Sequence, residues 1–455
     1  MRSKTALQEL FSYDTSSSVK VVREYVKKYE SLDELLRLNP KILKAAHVDL
    51  AQVLSESKTG RDGGYTSEQI FRSLMVMFIE RWTYRQTVIQ IDTSDVLQQF
   101  VRLGWKPMMD FTFLSKAFGA LSEPTWEIIN QKLSQYAKEN EMISGEKLRM
   151  DTTVYETNIH YPTDSSLLWD GYRTVARLLK NLREEMRAVG LCHRFHIKKV
   201  KKLMYFIARN GKSKSKRTQQ KVKRAYRNLL ERVAWIVEIA RCVFAKLFDP
   251  LLPELDELKH YCPLVKKVMD QTERRVFQGE KVPADEKLYS IFEEHTELII
   301  RGKAGKPVEF GHKYLVAQSE EKFITHYQTM ETQQADTALL EPALQAHRDL
   351  FGDLPDVLAA DKGFYESREK LAELTEKIET VAIGKKGRRT QEETERETSE
   401  EFKEGQRFRA GSEGSISVLK RAYKLKKCLF KGFKNFAVSV GCAVFCHNLV
   451  LLTKL

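Results

Sequence analysis

Through positions 1–140 the apolar residues return every three or four places, as in VREYVKKYESLDELLRL, and this spacing predicts a succession of helices. Thr66 with Gln69 forms a capping-box pattern ahead of IFRSLMVMFIERW, and Thr83 with Gln86 repeats it ahead of YRQTVIQI. Gly104 and Pro107 interrupt the pattern before MDFTFLSKAFGAL, where Thr112 is the expected cap. Short helices with tight connections are compatible with a helix-turn-helix DNA-binding module; an ordinary helical bundle is the plainer reading. From 146 to 161 the period shortens to two. EKLRMDTTVYETNIHY alternates β-branched and aromatic residues with polar ones and predicts a strand with Asp151 inside it. Helical spacing resumes after PTD, with Asp164 or Ser165 as the cap, and continues to about 300. Positions 306–330 predict two strands joined around Ser319 and Glu320. VLAA is then a short apolar strand that delivers Asp361 at its C-terminal end, with Gly363 allowing a tight turn. KIETVAIGKK predicts one more strand. GRRTQEETERETSEEFKEGQ has dense charge and no apolar period, and is expected to be a mobile loop.

This order of strand, inserted helices, hairpin, strand, strand and helix predicts an α/β catalytic core. Its form is a ribonuclease H-like mixed sheet with flanking helices, joined to an all-α N-terminal region and carrying a large helical insertion. The expected bounds are 1–140 for a helical DNA-binding region and 141–455 for the catalytic domain, interrupted by a basic helical insertion at 165–305.

Charge adds a partner to this outline. The 455 residues hold 76 Lys and Arg against 62 Asp and Glu, a net charge of +14. That balance favours a polyanion, nucleic acid before an anionic membrane surface. Between His193 and Arg227 the chain has no acid at all, and the run includes Lys212, Lys214, Lys216 and Arg217. So long a stretch of one sign repels itself, which makes it a candidate phosphate-binding surface. NGKSKSKRTQQ within it is expected to be an exposed loop. The six cysteines form no CxxC pair, as expected for a reducing cytoplasm. Cys192, His193 and His196 lack a fourth metal ligand at useful spacing. The apolar run FAVSVGCAVFCHNLVLL is short for a membrane span and contains His447 and Asn448, so it is expected to be a buried helix; Cys442 and Cys446 are then core residues. Trp169 and Trp235 offer stacking faces for a flipped base but are better placed as core residues.

The segment RFRAGSEGSISVLKRAYKLKKCLFKG places one acid, Glu413, among cations. On a helix Arg409 stands one turn before it and Lys420 about two turns after. Asp151, Asp361 and Glu413 together make a set of three carboxylates able to hold two Mg²⁺ ions about 3.5–4 Å apart for an in-line displacement at phosphorus. Arg409 and Lys420 would grip the flanking phosphates.

At these residues the chain resembles the DDE transposases of bacterial insertion sequences, and within them the ISNCY group. The late motif of that family is Tyr, two residues, Arg, three residues, Glu, six residues, Lys; Arg409, Glu413 and Lys420 fit it, and Gln406 stands where the tyrosine would be. ADKGF with Asp361 resembles the second acid motif, and MDTTVYETNIHYPTDSSLLWDG with Asp151 the first. GYTSEQIFRSLMVMFIERWTYRQTV resembles the N-terminal helical region of the family. The resemblance implies a bacterial cytoplasmic, nucleoid-associated transposase, not bound to a membrane. It would bind terminal inverted repeats in double-stranded DNA and cleave the element ends with Mg²⁺, Mn²⁺ being able to substitute. It would then join the 3′-hydroxyls to target DNA, working as a homodimer in a synaptic complex. The alternatives are a ribonuclease H-like nuclease without strand transfer and a transposase-derived DNA-binding protein.

Overall fold

A computed structural model describes residues 3–6, 13–54, 64–247, 252–303 and 305–455. Two compact units emerge, one made of 1–156 with 312–455 and the other of 157–311.

The first unit begins with seven helices: α1 (Lys20–Leu38), α2 (Pro40–Leu50), α3 (Ser67–Ile79), α4 (Tyr84–Asp92), α5 (Asp95–Val101), α6 (Phe111–Ala120) and α7 (Glu123–Glu139). Both expected capping boxes form, Thr66 with Gln69 on α3 and Thr83 with Gln86 on α4. The cap of α6 is Asp110 rather than Thr112; its carboxylate accepts the Thr112 amide at 2.7 Å. A carboxylate at a helix N-terminus is favoured twice, by the free N–H groups and by the helix dipole. Every residue of α3 from Ser67 to Phe78 is buried, so this helix forms the centre of the bundle and offers no face to a DNA groove. The buried Arg72 is neutralised there by Glu68 and Asp33, at 3.0 and 2.6 Å.

The sheet is mixed. Its strands are β1 (Lys147–Thr157), β2 (Glu297–Lys303), β3 (Lys306–Gln318), β4 (Ile324–Thr329), β5 (Val357–Ala360), β6 (Thr380–Ile383) and β7 (Lys427–Cys428). Their order is β2-β3-β1-β5-β6, with β4 paired to β3 and β7 to β1. β1, β5 and β6 run parallel, while β3 and β4 form the expected antiparallel hairpin. Helices α13 (Leu340–Phe351) and α14 (Arg368–Lys377) make the connections into β5 and β6. Leu148, Met150, Leu315, Leu344 and Leu358 share one core with them.

After β6 the chain departs from the sequence expectation. The segment expected to be mobile forms α15 (Gln391–Thr398) and the first turns of α16 (Glu400–Ala422). No residue of α15 is buried, which is why apolar periodicity could not reveal it. Polar contacts hold it instead: a Thr390–Glu393 capping box, Glu393 against Lys385 at 2.5 Å, and Arg396 donating to the carbonyls of Val381 and Ile383 on β6. The apolar C-terminal run becomes α17 (Gly432–Leu452). It is long and apolar enough to cross a membrane, yet 83% of its apolar window is buried inside the unit. Asn448 seals the edge of β4 by exchanging two hydrogen bonds with the backbone of Ile324, at 2.9 and 2.8 Å.

The second unit contains α8 (Asp164–Asn181), α9 (Arg183–Ala188), α10 (Ile197–Asn210), α11 (Lys216–Lys246) and α12 (Pro253–Glu273). They enclose a core of their own that includes Tyr172, Leu229, Val233 and Val265. Trp169 and Trp235 pack on this core half-buried. The cap of α8 is Thr163, one residue ahead of the expected position. β2, which lies at the end of the stretch expected to be helical, pairs with the first residues of β3.

Candidate active site

Parallel pairing of β1 with β5 sets the register Lys147↔Val357 through Met150↔Ala360. The next residue on each strand is an acid, Asp151 on β1 and Asp361 just beyond β5. One Asp361 oxygen accepts the Gly363 amide at 2.6 Å and so caps the short 3₁₀ turn Lys362–Phe364. The Asp361 side chain therefore caps a turn and faces Asp151 as well. The Asp151 carboxyl is pushed above its usual range, first by burial and then by the charge of Asp361; Arg409 and a Ser412 hydrogen bond oppose the shift. Two acids on neighbouring strands, one of them short of solvent, repel each other, and a cation is what relieves that repulsion.

Helix α16 crosses this edge at very short range. A Cβ added to Gly405 would stand 2.4 Å from the Ala382 side chain, and one added to Gly411 would stand 2.2 Å from the Arg149 guanidinium. Close approach, rather than a special backbone angle, explains both glycines. Gln406 donates to the carbonyl oxygens of Ala382 and Ala360, at 2.6 and 3.3 Å, which ties the helix to the ends of β6 and β5. Its own amide oxygen accepts from Arg409 Nε at 3.2 Å. The Ser412 hydroxyl donates to the Arg409 carbonyl at 2.8 Å and lies 3.2 Å from Asp151 Oδ2.

Glu413, the third expected acid, follows Ser412 but does not join the pair. Its side chain is 72% exposed, and its nearest charged partner is Arg409, at 3.8 Å. Among the described residues no three His, Cys, Asp or Glu side chains converge as a metal centre. Asp151 and Asp361 still suit a hard cation, because Mg²⁺ is commonly held by one or two carboxylates with substrate phosphates completing its shell. Lys420 stands in the last turn of α16, half-buried and about 10 Å further along the helix axis than Glu413.

Two further side chains belong to this region and were not singled out in the sequence. Arg149 is 4% exposed and lies between the sheet and α16. It donates to Gln318 and to the Phe408 carbonyl, at 3.2 and 3.1 Å, and its guanidinium stands 5.0 Å from the Phe408 ring centre. Nη2 has no hydrogen-bond partner among the described residues, and burial lowers the pKa of the group. The alternation in LRMDTT was the available signal, since it puts Arg149 on the same face as Asp151. Asp336 begins the 3₁₀ turn Asp336–Leu339 before α13, and Lys313 and the Thr152 hydroxyl each approach its Oδ1 to 3.2 Å. In the sequence it looks like any acid ahead of a helix.

In the second unit Lys212 and Lys214 occupy the turn between α10 and α11, while Lys216 and Arg217 open α11. All four are exposed, and none forms an ion pair among the described residues. The expected loop is thus confined to five residues, and KRTQQ is already helix.

No protein-family model matches the chain, and no curated protein or solved structure matches it either.

Proposed function

We propose that this chain is a DDE transposase of the bacterial insertion-sequence kind, with a ribonuclease H-like catalytic core. It would bind the inverted-repeat ends of an element, cleave there, and join the freed 3′-hydroxyls to target DNA. The observation that carries the reading is the pair Asp151 and Asp361 on adjacent parallel strands, with α16 bringing Arg409 and Ser412 beside Asp151. Strand order supports it. β1 is central, with the β3–β4 hairpin on one side and the parallel strands β5 and β6, each preceded by a helix, on the other.

Asp151 and Asp361 would hold Mg²⁺, or Mn²⁺ in its place, whose chemistry is to activate a water or 3′-hydroxyl and to stabilise the leaving oxygen. The remaining work falls to the chain. The Ser412 hydroxyl stands between the Arg409 carbonyl and the Asp151 carboxylate and is shared by the two. Gln406 holds Arg409 where its fork meets a phosphate next to the scissile one, so the glutamine supplies positioning in place of a tyrosine. For Glu413 to act as third acid, its carboxylate must leave Arg409 and turn toward Asp151, an exchange that a phosphate on Arg409 favours. Lys212, Lys214, Lys216 and Arg217 would track the DNA backbone. Two cations in the first turn of α11 oppose its helix dipole, a local cost that a bound phosphate removes. Handling two ends at once calls for a homodimer in a synaptic complex, in the bacterial cytoplasm at the nucleoid.

The test incubates the purified chain and Mg²⁺ with DNA carrying the inverted repeats that flank its gene. Both nicked and joined products are expected. Asp361→Asn should lose both by roughly three orders of magnitude or more while keeping its affinity for the ends. Nicking without joining would leave a nuclease. The outward position of Glu413 favours one second reading, a transposase-derived protein that binds DNA without cutting it; binding with no product at any Mg²⁺ concentration would establish that instead.

A further inference from the structure

Helix α10 turns its apolar side inward and keeps two aromatic rings outside. Val200 and Ile207 are buried in the core of the second unit, with Leu203 packed against it. These residues complete the apolar stripe that a surface helix needs. Tyr205 and Phe206 stand away from that stripe, 49% and 37% exposed. Cations surround them. Tyr205 comes seven residues after Lys198, four after Lys201 and four before Arg209; Phe206 comes four after Lys202 and seven after Lys199. Helical spacing puts each ring on a face with these side chains, and all five cations are exposed. The Lys201 ammonium lies 5.6 Å from the Tyr205 ring centre. α11 packs against α10 and brings no acid to this surface in its first half, because the chain has none from Met186 to Leu230.

Cations alone would suit a duplex, whose backbone they track without any ring. The bases of a duplex are stacked on one another and offer no open face to an aromatic side chain. Unpaired bases do offer one, and a positively charged surface with aromatic platforms holds a single strand without regard to its sequence. An anionic membrane fits this helix less well. An interfacial helix inserts its apolar stripe among lipids, and the stripe of α10 is occupied by the core of its own unit. We propose that the outer face of α10, roughly 16 Å long from Lys198 to Arg209, binds single-stranded DNA. Tyr205 and Phe206 stack on bases while Lys198, Lys199, Lys201, Lys202 and Arg209 meet phosphates. The inference rests on the DNA reading of the adjoining turn given above, adds unpaired strands to its partners, and does not require that the chain cut DNA.

Fluorescence anisotropy tests this, with a labelled oligo-dT of about twelve nucleotides and a duplex of equal length titrated separately with the full-length chain in EDTA. The double variant Tyr205→Ala, Phe206→Ala should bind oligo-dT roughly tenfold or more weakly and keep its duplex affinity within about twofold. Lys198→Gln with Lys202→Gln should instead weaken both, and lower the slope of log affinity against log salt for oligo-dT by up to about 1.4. Tyr205→Trp should retain the affinity, and its added indole should lose fluorescence as oligo-dT binds, which reads stacking without removing a ring. Thermal melting reports the fold of each variant. Unchanged oligo-dT affinity in the alanine variant, or an indole that oligo-dT does not quench, overturns the proposal and leaves the duplex and cleavage tests standing. Phosphatidylglycerol vesicles bound by the parent but not by a variant that still binds oligo-dT would assign the face to a membrane instead. Failure of the parent to bind the duplex as well would remove the DNA reading on which this one rests.

Discussion

At Gln406 one side chain links two strands to Arg409, the arginine proposed to grip a phosphate. Its hydrogen bonds to Ala382 and Ala360 hold α16 over the strand ends, and its amide oxygen orients Arg409. Gln406→Ala is therefore expected to slow DNA cleavage about tenfold, near 1.4 kcal/mol, with little change in affinity for the ends. A cleavage rate equal to that of the parent would show that Arg409 needs no such support. Gly411→Ala places a methyl group on the Arg149 guanidinium and should cost about 1–3 kcal/mol in denaturant unfolding, since neither the strand nor a buried, hydrogen-bonded arginine gives way easily. Legibility in the sequence followed this scale closely. Asp151 and Asp361 were readable because each stands at a recognisable place on a strand. The orientation of Glu413 was not, because spacing along a helix fixes a face but does not say which way an exposed side chain turns. Arg149 and Asp336 acquire their meaning from residues more than a hundred positions away.

Among elements, those built on apolar periodicity or on caps could be read directly. The hairpin of β3 and β4, the short strands β5 and β6, and the starts of α3 and α4 all follow from pattern. α15 could not be read, because it is held by a capping box, ion pairs and donations to β6 rather than by an apolar stripe. Breaking that support should have a local effect: Lys385→Ala, which removes the ammonium from Glu393, is expected to raise hydrogen exchange in α15 while leaving β5 protected. The turn between α10 and α11 makes its own prediction. Replacing Lys212, Lys214, Lys216 and Arg217 with glutamine should reduce the slope of log affinity against log salt by up to about 3.6, if all four contact phosphates of duplex DNA. An unchanged slope would reduce this turn to a solvated surface.

For the whole molecule, the mixed α/β class was legible because strand and helix patterns succeed one another along the chain, while the packing of the N-terminal helices was not. Burial brings the imidazoles of His326, His347 and His447 down to about 4. In the unfolded chain such rings take up protons near 6.5, so the stability they contribute is full above that pH and drains away as pH falls toward 4. The raised carboxyls of Asp151, Glu123 and Glu127 work in the opposite sense at lower pH, so the informative quantity is a difference between proteins. The urea midpoint of His347→Gln should fall less steeply from pH 6.5 to 4 than that of the parent; parallel curves would mean that His347 takes up its proton as readily in the fold as in the unfolded chain.

Helix α17 has a consequence for how such a gene decays. Phe445 packs at a tilt against Phe71 and Trp126 of the N-terminal helices, and Asn448 closes the edge of β4, so the core of the first unit stays open until ribosomes have passed codon 448. A premature stop between codons 414 and 432 spares Asp151, Asp361 and Glu413, yet removes the helix around which both ends of the unit assemble. Such a gene copy would look intact by its acids and still yield an aggregating polypeptide. Recovery of a chain ending at 431 as soluble, cooperatively unfolding protein would refute this.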